Sequence, residues 1–138
     1  MNNKAQAHYI LALVVIFILV ILLIFALSSD VNFSIKITKS DFEKGEEIIL
    51  FYEVENGLIY GDISDIKFTY SLINKDGFAV KDGSFPIPDL NNRQKNSSYV
   101  SIDTNFLSRG EYRIWAEVEY IKYGTIEGKR LSLNLFII

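Results

Sequence analysis

The chain has 138 residues, a formal net charge of −3 and no cysteine. That length holds one domain of ordinary size and little more, and the mild, dispersed charge contains no Lys/Arg cluster of the kind a phosphate backbone requires, which argues against a nucleic-acid partner. Without cysteine there are no disulfides and no thiol chemistry, and the redox compartment is left open.

Residues 1–8, MNNKAQAH, form a short polar flank whose one side-chain cation is Lys4. From Tyr9 to Leu27 no residue is charged, and sixteen of the nineteen are Ile, Leu, Val or Phe. As a helix this run would be roughly 28 Å long, close to the hydrocarbon thickness of a bilayer. Insertion of those sixteen side chains sums to about −5 to −10 kcal/mol as an upper bound, which favours the bilayer decisively. A core helix of a soluble protein would carry a polar stripe, and this one has none. We therefore expect a transmembrane helix over 9–29, with lipid contacted through residues 9–27. Lys4 and the amino terminus precede the run and Asp30 follows it, so the positive flank predicts a cytoplasmic N-terminus and an extracytoplasmic domain over 30–138. A cleavable secretory signal is the competitor, since Ala26-Leu27-Ser28 fits a small-x-small site, but its apolar core would normally span only about 7–15 residues. His8, beside Tyr9 at the mouth of the run, reads as an interfacial anchor rather than a buried proton or metal group.

Beyond Asp30 the apolar period becomes two. VNFSIKI places Val31, Phe33, Ile35 and Ile37 on one face, and EIILFYEVEN does the same with Ile48, Leu50, Tyr52 and Val54. DIKFTYSL aligns Ile66, Phe68, Tyr70 and Leu72. NKDG (74–77) is a hairpin-type turn with Gly77 able to take positive φ, and FAVKDGSF returns from it. PIPDLNNRQKN (86–96) is polar and turn-rich, and its prolines argue against a central strand. A short strand follows around Val100 and Ile102. EYRIWAEVEY and KRLSLNLFII come last, divided by the turn YGTIEG. Seven or eight strands with frequent turns and no helical pattern predict an all-β antiparallel sandwich.

LSRGEYRIWAEVEY runs Leu107-x-x-Gly110-x-Tyr112 into a strand with Tyr112, Ile114, Ala116 and Val118 inward and Trp115 on the opposite parity. This resembles the tyrosine corner of immunoglobulin-like and fibronectin-type sandwiches, and FEKGEEIILFYEVEN is similar to the second strand of Ig-like repeats on prokaryotic surfaces. The resemblance implies an Ig-like fold in which Leu107, Gly110 and Tyr112 build the corner. The Cys…Trp…Cys pattern of antibody domains is absent.

Chemistry is hard to assemble from these residues. Residues 30–138 contain no His and no Cys, so Ser–His and Cys–His nucleophile systems cannot be built there, and zinc or copper sites lack their usual ligands. Asp62 and Asp65, with Asp30 or Asp103, could offer oxygens to calcium, but their spacing matches no calcium loop. Glu53 and Glu55 read as a solvated strand face rather than a glycosidase pair. Neither an enzyme nor a cofactor is expected. Asn32-Phe33-Ser34 and Asn96-Ser97-Ser98 are glycosylation triplets, the second expected in the polar loop after Pro88. Two strands are apolar on both faces, through Ile49 and Phe51 in one and Phe136 and Ile138 in the other. Side by side, they would form an association surface for another subunit or partner.

Lys4-Ala5-Gln6-Ala7 ahead of the apolar run resembles the class III signal of archaeal type IV pilins and related surface filaments. That resemblance implies cleavage between Ala5 and Gln6 on the cytoplasmic side, with the apolar helix retained. Such helices bundle with identical subunits into a fibre core and carry β-domains outside. The acidic residue many pilins place near position five of the mature chain is missing, and Ile10 stands there. Two readings stay open: a structural or adhesive pilin-like filament subunit, or a permanently anchored single-pass Ig-like module that binds an envelope component or membrane-protein partner. The unbroken Ile/Leu/Val/Phe run favours the second, and the KAQA stretch the first. A sandwich subunit accessory to a membrane enzyme complex is a third.

Overall fold

The computed structural model describes residues 3–138, in two compact units divided at Asp30/Val31. The first is a single helix, α1 (Asn3–Ser28). It is continuous through Lys4–Ala7 into the apolar run, and its described side chains are exposed on every side. Ser29 closes it: its backbone N–H donates to the Phe25 carbonyl at 3.2 Å and its hydroxyl donates to the Ala26 carbonyl at 2.9 Å. Two carbonyls that would otherwise lack a partner at the helix end are thereby satisfied. The helix is long and apolar enough to cross a membrane.

The second unit contains, among the described residues, eight strands in two sheets. They are β1 (Val31–Ile37), β2 (Asp41–Phe42), β3 (Glu47–Asn56), β4 (Ile63–Asn74), β5 (Ala79–Ile87), β6 (Lys95–Asp103), β7 (Gly110–Lys122) and β8 (Thr125–Ile137). One sheet has the order β1-β3-β6 and the other β2-β8-β7-β4-β5. All neighbouring pairs are antiparallel except β2 with β8, which is parallel. The fold is therefore an Ig-like β-sandwich preceded by one apolar helix.

Side chains alternate in and out as the period-two pattern requires. Ile48, Leu50, Tyr52 and Val54 of β3 meet Ile66, Phe68, Tyr70 and Leu72 of β4 and Ile114, Ala116, Val118 and Tyr120 of β7, all buried. Phe68 is the centre of an aromatic cluster that ties the sheets together. It stacks on Tyr52 of the facing sheet with ring centroids 4.4 Å apart, meets Phe85 at 5.1 Å and takes Phe33 edge-on at 6.1 Å. Such pairs add about 0.5–1.5 kcal/mol each beyond the area they bury. Gly83 on β5 lies opposite Tyr70, where a Cβ would come within 2.5 Å of the Tyr70 ring. A glycine is needed there because the ring occupies the side-chain position.

Several boundaries differ from the sequence expectation, each for a physical reason. The turn expected over YGTIEG contracts to Tyr123-Gly124, because both adopt positive φ (+50° and +75°), as a two-residue hairpin requires, and Thr125 onward joins β8. Pro86 falls inside β5 rather than outside it, which is tolerated because β5 is an edge strand. β6 starts at Lys95, so the polar residues after Pro88 are only partly loop. β2 has just two residues and pairs with the far end of the chain, a long-range contact that no local pattern announces.

Candidate functional site

The tyrosine corner is present. Tyr112, at the start of β7, donates its hydroxyl to the Ser108 carbonyl at 2.8 Å. Leu107 is buried and its backbone N–H donates to the Thr104 carbonyl at 2.9 Å, while Gly110 takes φ +144°, a conformation that favours glycine. This corner is structural, holding the crossover from β6 to β7. Thr104, fully buried, extends it: its hydroxyl accepts from the Gly45 N–H at 2.8 Å and donates to the Glu46 carbonyl at 2.6 Å.

The four residues of the expected association surface are not brought together. Ile49 and Phe51 lie on β3, Phe136 lies near the end of β8 and Ile138 just past it, and the two strands belong to different sheets. Each outward face turns away from the other, so there is no single patch. Phe51 instead meets Tyr99 of β6, ring centroids 6.2 Å apart, on the outer face of the three-stranded sheet. Asn32 is exposed on β1. Asn96 is half-buried on β6, paired with Val54, and so lies on a strand rather than in the loop expected from its sequence context. Lys4, Ala5 and Gln6 are exposed in the opening turns of α1.

The outer face of the larger sheet carries Trp115 beneath the Arg130 guanidinium, whose central carbon is 5.1 Å from the ring centroid. Arg130 also pairs with Glu117 at 2.6 Å. The shallow hollow beside them is lined by Lys67, Thr69, Ser71 and Glu119 as well. These exposed pairs solvate the sheet and bring no two groups together in a nucleophile–base geometry. At the other edge of the domain, Lys39 and the Glu43 N–H both bond the Glu46 carboxylate and hold its pKa below the ordinary value. Among the described residues, no group of three or more His, Cys, Asp or Glu stands ready to hold a metal ion.

A more organised constellation lies at the end of the sandwich where β1 begins. Strand pairing puts Val31 beside Asn56 and Ile63 beside Lys122, so the loop 57–62, the loop 88–94 and the Tyr123-Gly124 turn all gather at that end. Buried Asn56 binds them together. Its amide donates to the Gly61 carbonyl at 2.9 Å and the Leu90 carbonyl at 3.0 Å, and its side-chain oxygen accepts from the Leu58 N–H at 3.1 Å. The Asn92 amide closes the knot on the Leu58 carbonyl. Tyr123 donates its hydroxyl to the Tyr60 carbonyl at 2.6 Å and stacks on the Tyr60 ring, centroids 6.1 Å apart. Gly61 has no Cβ to meet the Tyr123 ring, which an added Cβ would approach to 2.9 Å. The inward parity of β3 continues from Val54 to Asn56, and that was the available signal for this residue. The loop geometry carried no signal of its own.

No protein-family model matches the sequence, and no curated protein matches it. Solved structures do resemble it in fold. The C-terminal domain of Wzt aligns with a TM-score of 0.57 at 11% identity, over 80% of this chain and 75% of that one. The CARDB domain of the PF1109 protein from Pyrococcus furiosus, solved with di-metal ions, gives a TM-score of 0.57 at 14% identity, over 80% and 89%. The alkylpurine DNA glycosylase AlkC of Pseudomonas fluorescens, bound to DNA with an abasic-site analogue, gives 0.55 at 13%, over 80% of this chain but 31% of that one. At such identities the likeness is one of architecture, and the CARDB domain places this chain's sandwich in the Ig-like class.

Proposed function

We propose that the chain is a non-catalytic surface protein, held in a membrane by residues 9–27, with its N-terminus cytoplasmic and its sandwich outside. We further propose that it is a pilin-like filament subunit, processed between Ala5 and Gln6. One observation carries the membrane reading: the sandwich core is built from residues between Val31 and Ile137, and α1 is apolar on every side. That apolar surface needs lipid or other helices of its kind. The processing reading rests on Lys4-Ala5-Gln6-Ala7, exposed at the start of α1 where a peptidase could reach it. The lack of His and Cys in residues 30–138 supports a non-catalytic role.

The second reading, a permanently anchored Ig-like module, is favoured by the run itself, which contains no Gly or Thr between Tyr9 and Leu27 to let helices approach closely. The intact mass of the protein extracted from membranes separates the two. A chain beginning at Gln6 is the expected result. One beginning at Met1 or Asn2 overturns processing and leaves the fixed module, and one beginning near Ser29 means a secretory signal.

A further inference from the structure

Ile59, Tyr60, Tyr123 and Ile126 are all exposed at the end of the sandwich where β1 begins, to 45%, 77%, 59% and 68%. Three features single this end out. First, it is organised: the Asn56 knot fixes the loop bearing Ile59 and Tyr60, and the two tyrosines are stacked and hydrogen-bonded. Second, Tyr123 occupies a hairpin position at φ +50°, where Asn or Gly fits without strain and an aromatic side chain does not. Third, only Ser29 and Asp30 separate α1 from Val31 in sequence, and Val31 opens the strand that begins at this end. The opposite end also shows exposed rings, Phe78 and Phe106, but these lack hydroxyls and lie a full strand length from Val31.

We propose that this end of the sandwich is a lipid-docking surface, with Ile59 and Ile126 entering the interfacial layer of the same bilayer that α1 spans. Tyr60 and Tyr123 lie at headgroup depth, where a ring with one polar tip is favoured. The proposal rests on the membrane reading above and adds to it a second lipid contact, made by the sandwich itself. Lys122 and Glu127 pair at 3.0 Å beside the turn, so these two charges offset one another next to Tyr123.

The test uses the full chain, which has no cysteine, so each variant carries a single thiol. Ile59→Cys, Ile126→Cys and, as the control at the far end, Phe78→Cys are labelled with an environment-sensitive fluorophore. Each is reconstituted in phosphatidylcholine vesicles with and without doxyl-labelled lipid, after thermal melts show wild-type folding. Blue-shifted emission and quenching by doxyl lipid at 59 and 126, with neither at 78, is the expected result. Vesicle flotation after an alkaline wash is measured on the same samples. If the protein floats but labels at 59 and 126 behave as water-exposed, docking is overturned and the anchor stands. If they are blue-shifted yet not quenched by doxyl lipid, a protein contact covers this end and lipid docking is again overturned. Equal quenching at 78 overturns it as non-specific, and failure to float overturns anchor and docking together.

Discussion

Asn56 shows how one side chain can govern a whole end of the domain. Its amide and carbonyl meet three main-chain partners in a buried site, leaving no replacement that satisfies them all. Asn56→Ala should cost about 3 kcal/mol, because buried groups left unpaired lose their full solvation. Asn56→Asp should be at least as damaging, since a carboxylate cannot donate to the Gly61 and Leu90 carbonyls. Urea unfolding of both variants measures this, and a midpoint unchanged from wild type would refute it. Tyr70 supplies a pH-dependent counterpart. Burial, with Asp82 nearby, raises its pKa above the ordinary 10.0. The folded state then keeps a proton that the unfolded chain releases above pH 10, so Tyr70's stabilising share is complete below that pH and is lost as pH climbs through the folded value. Tyr70→Phe should therefore lose less stability than wild type on moving from about pH 9 to about pH 11, as denaturant midpoints will show.

At the level of elements, the strands most legible in the sequence are those with one wet face. β4 and β7 alternate because one side of each packs on the core, and their inward residues, like those of the doubly apolar β3, are the ones expected from parity. The helix is equally plain, since its composition needs no tertiary context. The loops at the Asn56 end and β2 are not legible, because their geometry is imposed by partners distant in sequence. The supposed patch of Ile49, Phe51, Phe136 and Ile138 failed for the same reason. Doubly apolar strands can be recognised locally, but strand order cannot. β2 itself is short yet well fixed: Phe42 is buried, and the Lys39 ammonium lies 5.2 Å from its ring centroid. Phe42→Ala should destabilise the domain by about 3–5 kcal/mol, whereas exposed Asp41→Ala should change little. Parallel urea titrations would show the contrast, and similar effects from both would mean that β2 contributes no packing.

For the molecule as a whole, the proposed orientation is open to direct measurement. In intact cells, a membrane-impermeant maleimide should label Asp76→Cys, in the exposed β4–β5 turn, while Ala7→Cys, retained whether or not the chain is cut after Ala5, should react only after lysis. The reverse pattern would overturn the orientation. The strand arrangement also has a mechanical side. Val31 and Ile137 lie at opposite ends of the sandwich, one beside Asn56 and the other beside Gly110. Tension applied between Val31 and Ile138 therefore runs along the strands. It drags β1 lengthwise against β3 and β2 lengthwise against β8, where the Phe136 N–H bonds the Ser40 carbonyl at 2.8 Å and the Ile138 N–H bonds the Phe42 carbonyl at 2.9 Å. Bonds loaded in shear share the force and must break together, whereas bonds peeled from one end yield singly. A domain threaded in this way resists a pull applied between Val31 and Ile138 far better than one whose strands unzip.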